Sequence, residues 1–454
     1  MPGKNIVVTG LGFGDEGKGT IVEYLAWRYL AECVVRYNGG PQAAHNIVLE
    51  TLLHHCFSQF GSATFQRHVK TFLSSQTVVN PISLLSEANI LLEKGVRNPL
   101  KRLIVSPSCL VVTPFHGHHN RMLELSRGND RHGSCGMGVG QTIKDASYLG
   151  EMALRLVDLV DYETAKRKLD FLWRLKMDQT EQLLDMSSDN DALRQEFGRL
   201  SASGFVEDLL EAYASIVPHL NISDQPQVSG TLVFEGAQGM LLDVNHGFHP
   251  HVAKSDASPR AAAHIAAKHW SGHDIVKVGV LRAYATRHGA GPFVTEDYGL
   301  TKAIPDMHNG MREWQGGFRI GWFDAVAASY SIEAAGGIDF LALTNLDRIR
   351  DFGGAKICVG YEYAGNLPFD GYCEASRIGG KQIIERIITV NNPSVERQMA
   401  LTAILADCRP IYSTIAFRDP KVYVQRLESI LGVPVAIVSS GPTLQDKEEI
   451  FSLF

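Results

Sequence analysis

The chain has 454 residues, 45% of them apolar and 20% charged, an ordinary composition for a soluble globular protein with a sizeable core. A net charge of −6, spread without long runs, leaves no basic face for coating a nucleic acid or a membrane surface. Seven scattered cysteines, odd in number and lacking a Cys-x-x-Cys pair, predict a reducing compartment; with no charged leader and no apolar run of about 18 residues, the expected location is the cytoplasm.

In chain order, Asn5–Thr9 reads as a strand, residues 10–20 as a glycine-rich loop, and Ile21 to about Ala31 as a helix. Cys33–Arg36 follows as a strand and Asn38–Pro41 as a turn. Leu103–Val105 and Leu110–Val112 are short strands with helical segments between them. From about 151 to 216 the pattern turns helical, with apolar residues at three- and four-residue spacing over Leu169–Leu184, and we read this stretch as a helical insertion within one domain spanning 1–454. Strand signals resume at Thr231–Phe234, Val276–Leu281, Phe340–Thr344, Lys356–Gly360 and Val435–Val438. Strands alternating with helices predict an α/β fold: a large, mainly parallel central sheet with helices on both faces. The glycine loop, Glu235–Gln238, Thr344–Asp347 and Ser439–Gly441 each follow a predicted strand, so four polar motifs gather at the carboxyl edge of the sheet, where such folds bind ligands.

The loop reads Gly10-Leu-Gly-Phe-Gly-Asp-Glu-Gly-Lys-Gly-Thr20. Small residues let backbone N–H groups converge on an anion at a helix start. Gly12 to Lys18 fits the phosphate-loop pattern, but Gly19 stands where Ser or Thr is usual. A glycine-rich strand-to-helix turn would look similar. Asp15 and Glu16 argue for chemistry, because acids inside a phosphate loop repel the ligand unless one binds Mg²⁺ or accepts a proton.

The loop, followed by Arg36-Tyr-Asn-Gly-Gly-Pro-Gln-Ala-Ala-His45, resembles the adenylosuccinate synthetase family of GTP-dependent ligases. The likeness continues through Gly133–Gly140, Val233–Gly247, Ala283–Pro292, Gly321–Asp324, Thr344–Asp347 and Ser439–Pro442. It implies that family's P-loop-related fold and a two-step reaction. O6 of IMP first attacks the γ-phosphate of GTP; an amino group, normally that of aspartate, then displaces the phosphate. On this resemblance Asp15 is the base and an Mg²⁺ ligand, and His45 is the general acid. Lys18 neutralises phosphate charge, and the Ala44 carbonyl is a second Mg²⁺ ligand. Nucleotide contacts would come from Gly14, Glu16, Gly17, Gly19, Thr20, Gln42, Asn46, Gln238, Asn345, Asp347, Ser439, Ser440 and Gly441. GTP is the expected donor, with ATP the alternative, and the family is usually a homodimer.

Several positions depart from the family. The threonines and the partner-donated arginine that hold the IMP 5′-phosphate correspond to Cys135, Ala253 and about Leu149, with Ser134, Lys254, Ser255 and Arg260 nearby. The arginine-rich loop that grips aspartate corresponds to Met311–Ile320, where Arg319 stays in register, Arg312 lies upstream and Glu313 is added. Fewer bidentate arginines lower the expected affinity for a dicarboxylate, with Arg282 and Arg287 as candidate replacements. The expectation is therefore adenylosuccinate formation from IMP, GTP and aspartate, against two alternatives: a ligase using another amine, or a non-catalytic nucleotide-binding protein. The triplet His246, His249 and His251 and the run His116–His119 are read as structural, the latter on a helix surface.

Overall fold

The computed structural model describes residues 4–186, 190–306, 309–311, 313–350, 354–415 and 420–454. Among them, ten strands form the central sheet: β1 (Lys4–Gly10), β2 (Cys33–Arg36), β3 (Lys70–Leu73), β4 (Leu103–Val105), β5 (Asn221–Ile222), β6 (Leu232–Gly239), β7 (Asp274–Arg282), β8 (Phe340–Thr344), β9 (Val435–Ser439) and β10 (Lys447–Glu449). They lie in the order β10-β9-β8-β7-β1-β6-β2-β3-β4-β5, and every neighbouring pair is parallel except β9 with β10.

The apolar run of β1 explains the layering. Ile6 and Val8 join one core cluster with Ile21, Val22 and Leu25 of helix α1 (Lys18–Arg28). Val7, between them, joins another with Val35, Phe234 and the residues Ala261–Ala266 of the helix Pro259–His269. Successive side chains leave opposite faces of a strand, and both faces here are covered, so the run is continuous rather than alternating.

Four further helices lie in the chain between β3 and β5: α2 (Pro81–Glu93), α3 (Pro114–Ser126), α4 (Val139–Leu149) and α5 (Tyr162–Met186). Asn80 caps α2 by accepting from the N–H groups of Ile82 and Ser83, and Pro81 fills its first turn. Leu169 and Leu172 of α5 pack with Leu84, Ala88 and Leu91 of α2 and Phe115 of α3. Residues 191–200 and 205–216 are the helices that follow α5.

Two expectations are corrected. The strand at Lys356–Gly360 belongs to Ala355–Tyr363, which lies in a second sheet and pairs antiparallel with Lys381–Ile387 and Cys408–Ile415. His116, His118 and His119 lie in α3 but are buried rather than on its surface. Burial is tolerated because partners exist: His116 meets Thr113 and Asp145, and His118 meets Glu196.

Candidate active site

Six neighbouring strands deliver polar residues to one edge. The β1 loop runs into α1 through Gly14 and Gly17, at φ +106° and +88°, backbone positions that side chains rarely adopt. Glu16 folds back into this loop. Its Oε1 accepts from the N–H groups of Gly12 at 2.9 Å and Gly14 at 2.7 Å, and its Oε2 meets Lys18 Nζ at 2.7 Å. Lys18, fully buried, also donates to the Gly14 carbonyl. The loop is thus arranged around a carboxylate, as a phosphate loop is arranged around an anion. Gly19 departs from the usual hydroxyl residue for a steric reason. A Cβ there would stand 2.9 Å from His45 Cβ and 3.0 Å from Ser62 Oγ.

Asp15 projects from the same loop. Burial pushes its carboxyl above the ordinary range; the nearby Arg282 pulls it back, Glu16 pushes it further up, and His288 and Lys18 pull it down. Arg282, at the end of β7, donates from Nε to the Asp15 carbonyl and pairs with Asp306 at 3.2 Å. Thr344, ending β8, donates to the Glu16 carbonyl at 2.6 Å and so ties the next strand to the loop.

His45 starts a hairpin (His45–Val48 with His54–Phe57) and is buried. Its Nδ1 lies 2.5 Å from Oε1 of Glu235, a residue of β6 with no exposed surface. The Ser62 N–H and hydroxyl also donate to Glu235. Desolvation raises the Glu235 carboxyl, but His45, Arg36 and Ser62 outweigh it and hold the group near 2. Desolvation holds His45 below its ordinary value, against the pull of Glu235. The result is an imidazole with Nδ1–H fixed on a buried carboxylate and Nε2 left for chemistry, the arrangement by which a carboxylate orients a catalytic histidine. Glu235 and Arg36 were not singled out from sequence for these roles. The available signal was an acid closing the apolar run Leu232–Phe234.

The other expected residues fall around this centre. Gln42 and Gln238 each keep a buried Oε1 without a hydrogen-bond partner, and Gln238 sits at φ +59°. Asn46 Oδ1 accepts from His54 Nε2 at 2.8 Å, and the nearby Ala44 is exposed. Thr20 Oγ1 reaches the Pro442 carbonyl. Asn345 lies at φ +60°, and Asp347 Oδ1 is buried and unpartnered, an acceptor in want of a donor. Ser439 Oγ and Lys447 Nζ both donate to the Gly441 carbonyl, while the Ser440 N–H reaches Asp446. Desolvation holds Lys447 near 8, offset by Asp446, Glu23 and Asp347, which places a second buried cation beside Asp347.

On the acceptor side the picture is different. Ser134 Oγ bonds Asn120, Cys135 is partly buried, and Ala253 contributes only its backbone, to Leu242. Arg319 spends its guanidinium on Glu296 and the carbonyls of Gly289 and Gly291. Arg287 spends two nitrogens on the carbonyls of Ala290 and Pro292 and stacks on Phe13. Arg312 lies outside the described residues. Among the described residues Lys254 has no acidic partner, and burial and the charges of Lys144 and Arg127 hold it below its ordinary range. Each histidine of the 246–251 cluster has its own contact, with Asp243, Val244 or His132. No group of three or more His, Cys, Asp and Glu able to hold a metal occurs among the described residues, and no described helix is long and apolar enough to cross a membrane.

Comparison with known proteins adds to this geometry. A family model described as adenylosuccinate synthetase matches residues 7–448. Adenylosuccinate synthetase of Neisseria meningitidis serogroup A is 32% identical over 99% of this chain and 98% of its own. That of Shewanella halifaxensis is 32% identical, over 97% of both chains. Among solved structures, fully ligated adenylosuccinate synthetase from Plasmodium falciparum superposes with a TM-score of 0.78 at 19% identity, covering 99% of this chain and 100% of its own. Cyanophage S-2L succinoaminodeoxyadenylate synthetase bound to dGMP and dATP gives 0.56 at 15% identity, covering 100% of this chain and 97% of its own.

Proposed function

We propose a two-step reaction for this chain, which belongs to the adenylosuccinate synthetase family, the GTP-dependent ligases that convert IMP and aspartate to adenylosuccinate. Asp15 takes the N1 proton of IMP, so that O6 gains the electron density to attack the γ-phosphate of GTP. Lys18 and the loop N–H groups spread the developing phosphoryl charge, and His45, as the imidazolium that Glu235 stabilises, donates from Nε2 to the phosphate. The amino group of the acceptor, L-aspartate in the family, then replaces phosphate at C6. One observation carries the reading: a buried carboxylate whose proton affinity burial raises and an oriented imidazole both border the same lysine-bearing anion loop.

The loop also fits Mg²⁺. Asp15 is a single carboxylate whose negative charge burial disfavours, and such a group is stabilised by a cation. One carboxylate and one carbonyl, with phosphates supplying the rest, is an ordinary Mg²⁺ donor set. Asp15 and the Ala44 carbonyl would hold the ion, whose contribution is neutralisation of phosphate charge. The unpartnered Asp347 Oδ1 suits the paired N–H donors of a guanine edge, which favours GTP over ATP. The free charge of Lys254 suits a purine 5′-phosphate where hydroxyl ligands have been lost. A cytoplasmic homodimer is part of the same proposal, resting on the family.

The test is phosphate release from GTP with IMP, Mg²⁺ and aspartate, followed by product mass. Turnover that Asp15→Asn abolishes supports the reading, and no turnover with any purine nucleotide defeats it. The committed arginines of the acceptor side favour a second reading for the last step only. A product mass containing an amino acid other than aspartate would establish it.

A further inference from the structure

Two histidines bear on the glycine loop, and the reaction above uses one. The second, His288, ends the strand Ala285–His288, which pairs antiparallel with Phe318–Gly321. Opposed residues share a face of such a pair, so Arg287 and Arg319 share one face and His288 and Phe318 the other. The arginine face is occupied with loop carbonyls. The arginine face also meets Phe13 of the glycine loop, and the other face leads by way of Arg282 to Asp15. The His288 ring packs edge-on against Phe318 at 5.4 Å; the Arg282 guanidinium lies 5.8 Å from that same phenyl ring; and Arg282 Nε donates to the Asp15 carbonyl. His288 Nε2 meets the Gly310 carbonyl at 3.2 Å, which fixes the proton on Nε2 and, among the described residues, leaves the Nδ1 lone pair open. Gly310 is the residue before Met311, so the ring is anchored to the root of the loop that replaces the family's aspartate grip.

The chemistry has a vacancy at this point. In the first step Asp15 accepts one proton, and the Nδ1 of His45 is committed to Glu235. The second step brings a neutral amine that must lose a proton as it bonds to carbon. We propose that His288 is the proton acceptor for the incoming amine. The new N–C6 bond forms, the C6–O bond breaks with its electron pair leaving on phosphate, and the proton from nitrogen passes to Nδ1 of His288. This rests on the two-step reaction proposed above and deepens it.

The two steps are read separately in His288→Asn and His288→Ala. The first step is read as positional isotope exchange in GTP labelled with ¹⁸O at the β,γ-bridge, with IMP and Mg²⁺ and no amine. The second is read as product formation with saturating L-aspartate, or with an equimolar amino-acid mixture if the parent ignores aspartate. Exchange should stay within about threefold of the parent while ligation falls on the order of 10²–10⁴-fold, the range for a lost general base, and added imidazole should restore part of it in His288→Ala. Retained exchange also shows that the variants are folded. Unchanged ligation, or exchange and ligation falling together, overturns the assignment. Absence of exchange in the parent overturns the underlying two-step reading instead, and the assignment with it.

Discussion

Replacing Glu235 with Gln would remove one charge from the most enclosed part of the site. The carboxylate accepts three hydrogen bonds, from His45 Nδ1, the Ser62 N–H and the Ser62 hydroxyl. An amide has only one acceptor atom, so its NH₂ must face either the Ser62 N–H or His45. Facing His45, it forces the imidazole into the tautomer with the proton on Nε2 and withdraws the charge that would stabilise the imidazolium. The size of the effect follows from the carboxyl being held near 2 rather than 4.5: about 3 kcal/mol of folding stability at neutral pH. Because the folded value is depressed, that stability is present above pH 4.5 and is lost as pH falls toward 2. His45, held below 6.5, adds an acid loss of the same sign, beginning near 6.5. The variant should therefore unfold at lower denaturant at pH 7 and show a flatter stability curve below pH 4.5. Isotope exchange should fall roughly 10²-fold or more. Urea titrations across pH 3–8 and exchange in labelled GTP would measure both. Exchange within threefold of the parent, with an unchanged midpoint, refutes the carboxylate–imidazole argument.

Other substitutions separate the remaining roles. Asp15→Asn should reduce phosphate release on the order of 10²–10⁴-fold with circular dichroism unchanged. Asp347→Ala should raise KM for GTP about 10- to 100-fold, the worth of a charged hydrogen bond, with little change in kcat and a smaller effect on ITP, which lacks the amino group. Lys254→Ala should raise KM for IMP roughly tenfold, from the loss of about 1–2 kcal/mol of charged contact, and leave the KM for GTP alone; an unchanged KM for IMP removes Lys254 from the site. Leu169→Ala, in the helical stretch away from the loop, should cost about 2–5 kcal/mol of stability without altering kcat per folded molecule.

Much of this arrangement was legible in the sequence because it follows from local patterns. Ile6, Val7 and Val8 could only be a strand buried on both faces, and the glycine loop, Gln238, Thr344 and Ser439 then had to lie near one edge. What was missed depends on partners distant in the chain. Lys70–Leu73 is too short to stand out, yet it occupies the sheet between β2 and β4. The strand at Lys356–Gly360 has the composition of a central strand, and only its neighbours place it in the second sheet. The α3 histidines look solvated until Asp145 and Glu196 arrive from other helices. Glu235 had its motif recognised, but its role depends on His45, 190 residues away. The hairpin arginines show the converse. In the sequence Arg287 and Arg319 are candidates for an acceptor carboxylate, while the fold uses them on carbonyls and Glu296.

The self-contact of Glu16 changes what nucleotide binding means for this molecule. Its carboxylate already occupies the N–H groups and the lysine that a phosphate would use. Binding is then a substitution of one anion for another inside a loop that needs no collapse before the ligand and no rescue after it. The measured affinity reports a difference between two well-satisfied states rather than the full strength of either. On the proposed function a polyphosphate nucleotide would win that contest by touching residues after β8 and β9 as well as the loop. Inorganic phosphate, limited to the loop, would then be a poor competitor, and the proposed reaction's phosphate product would have little tendency to stay.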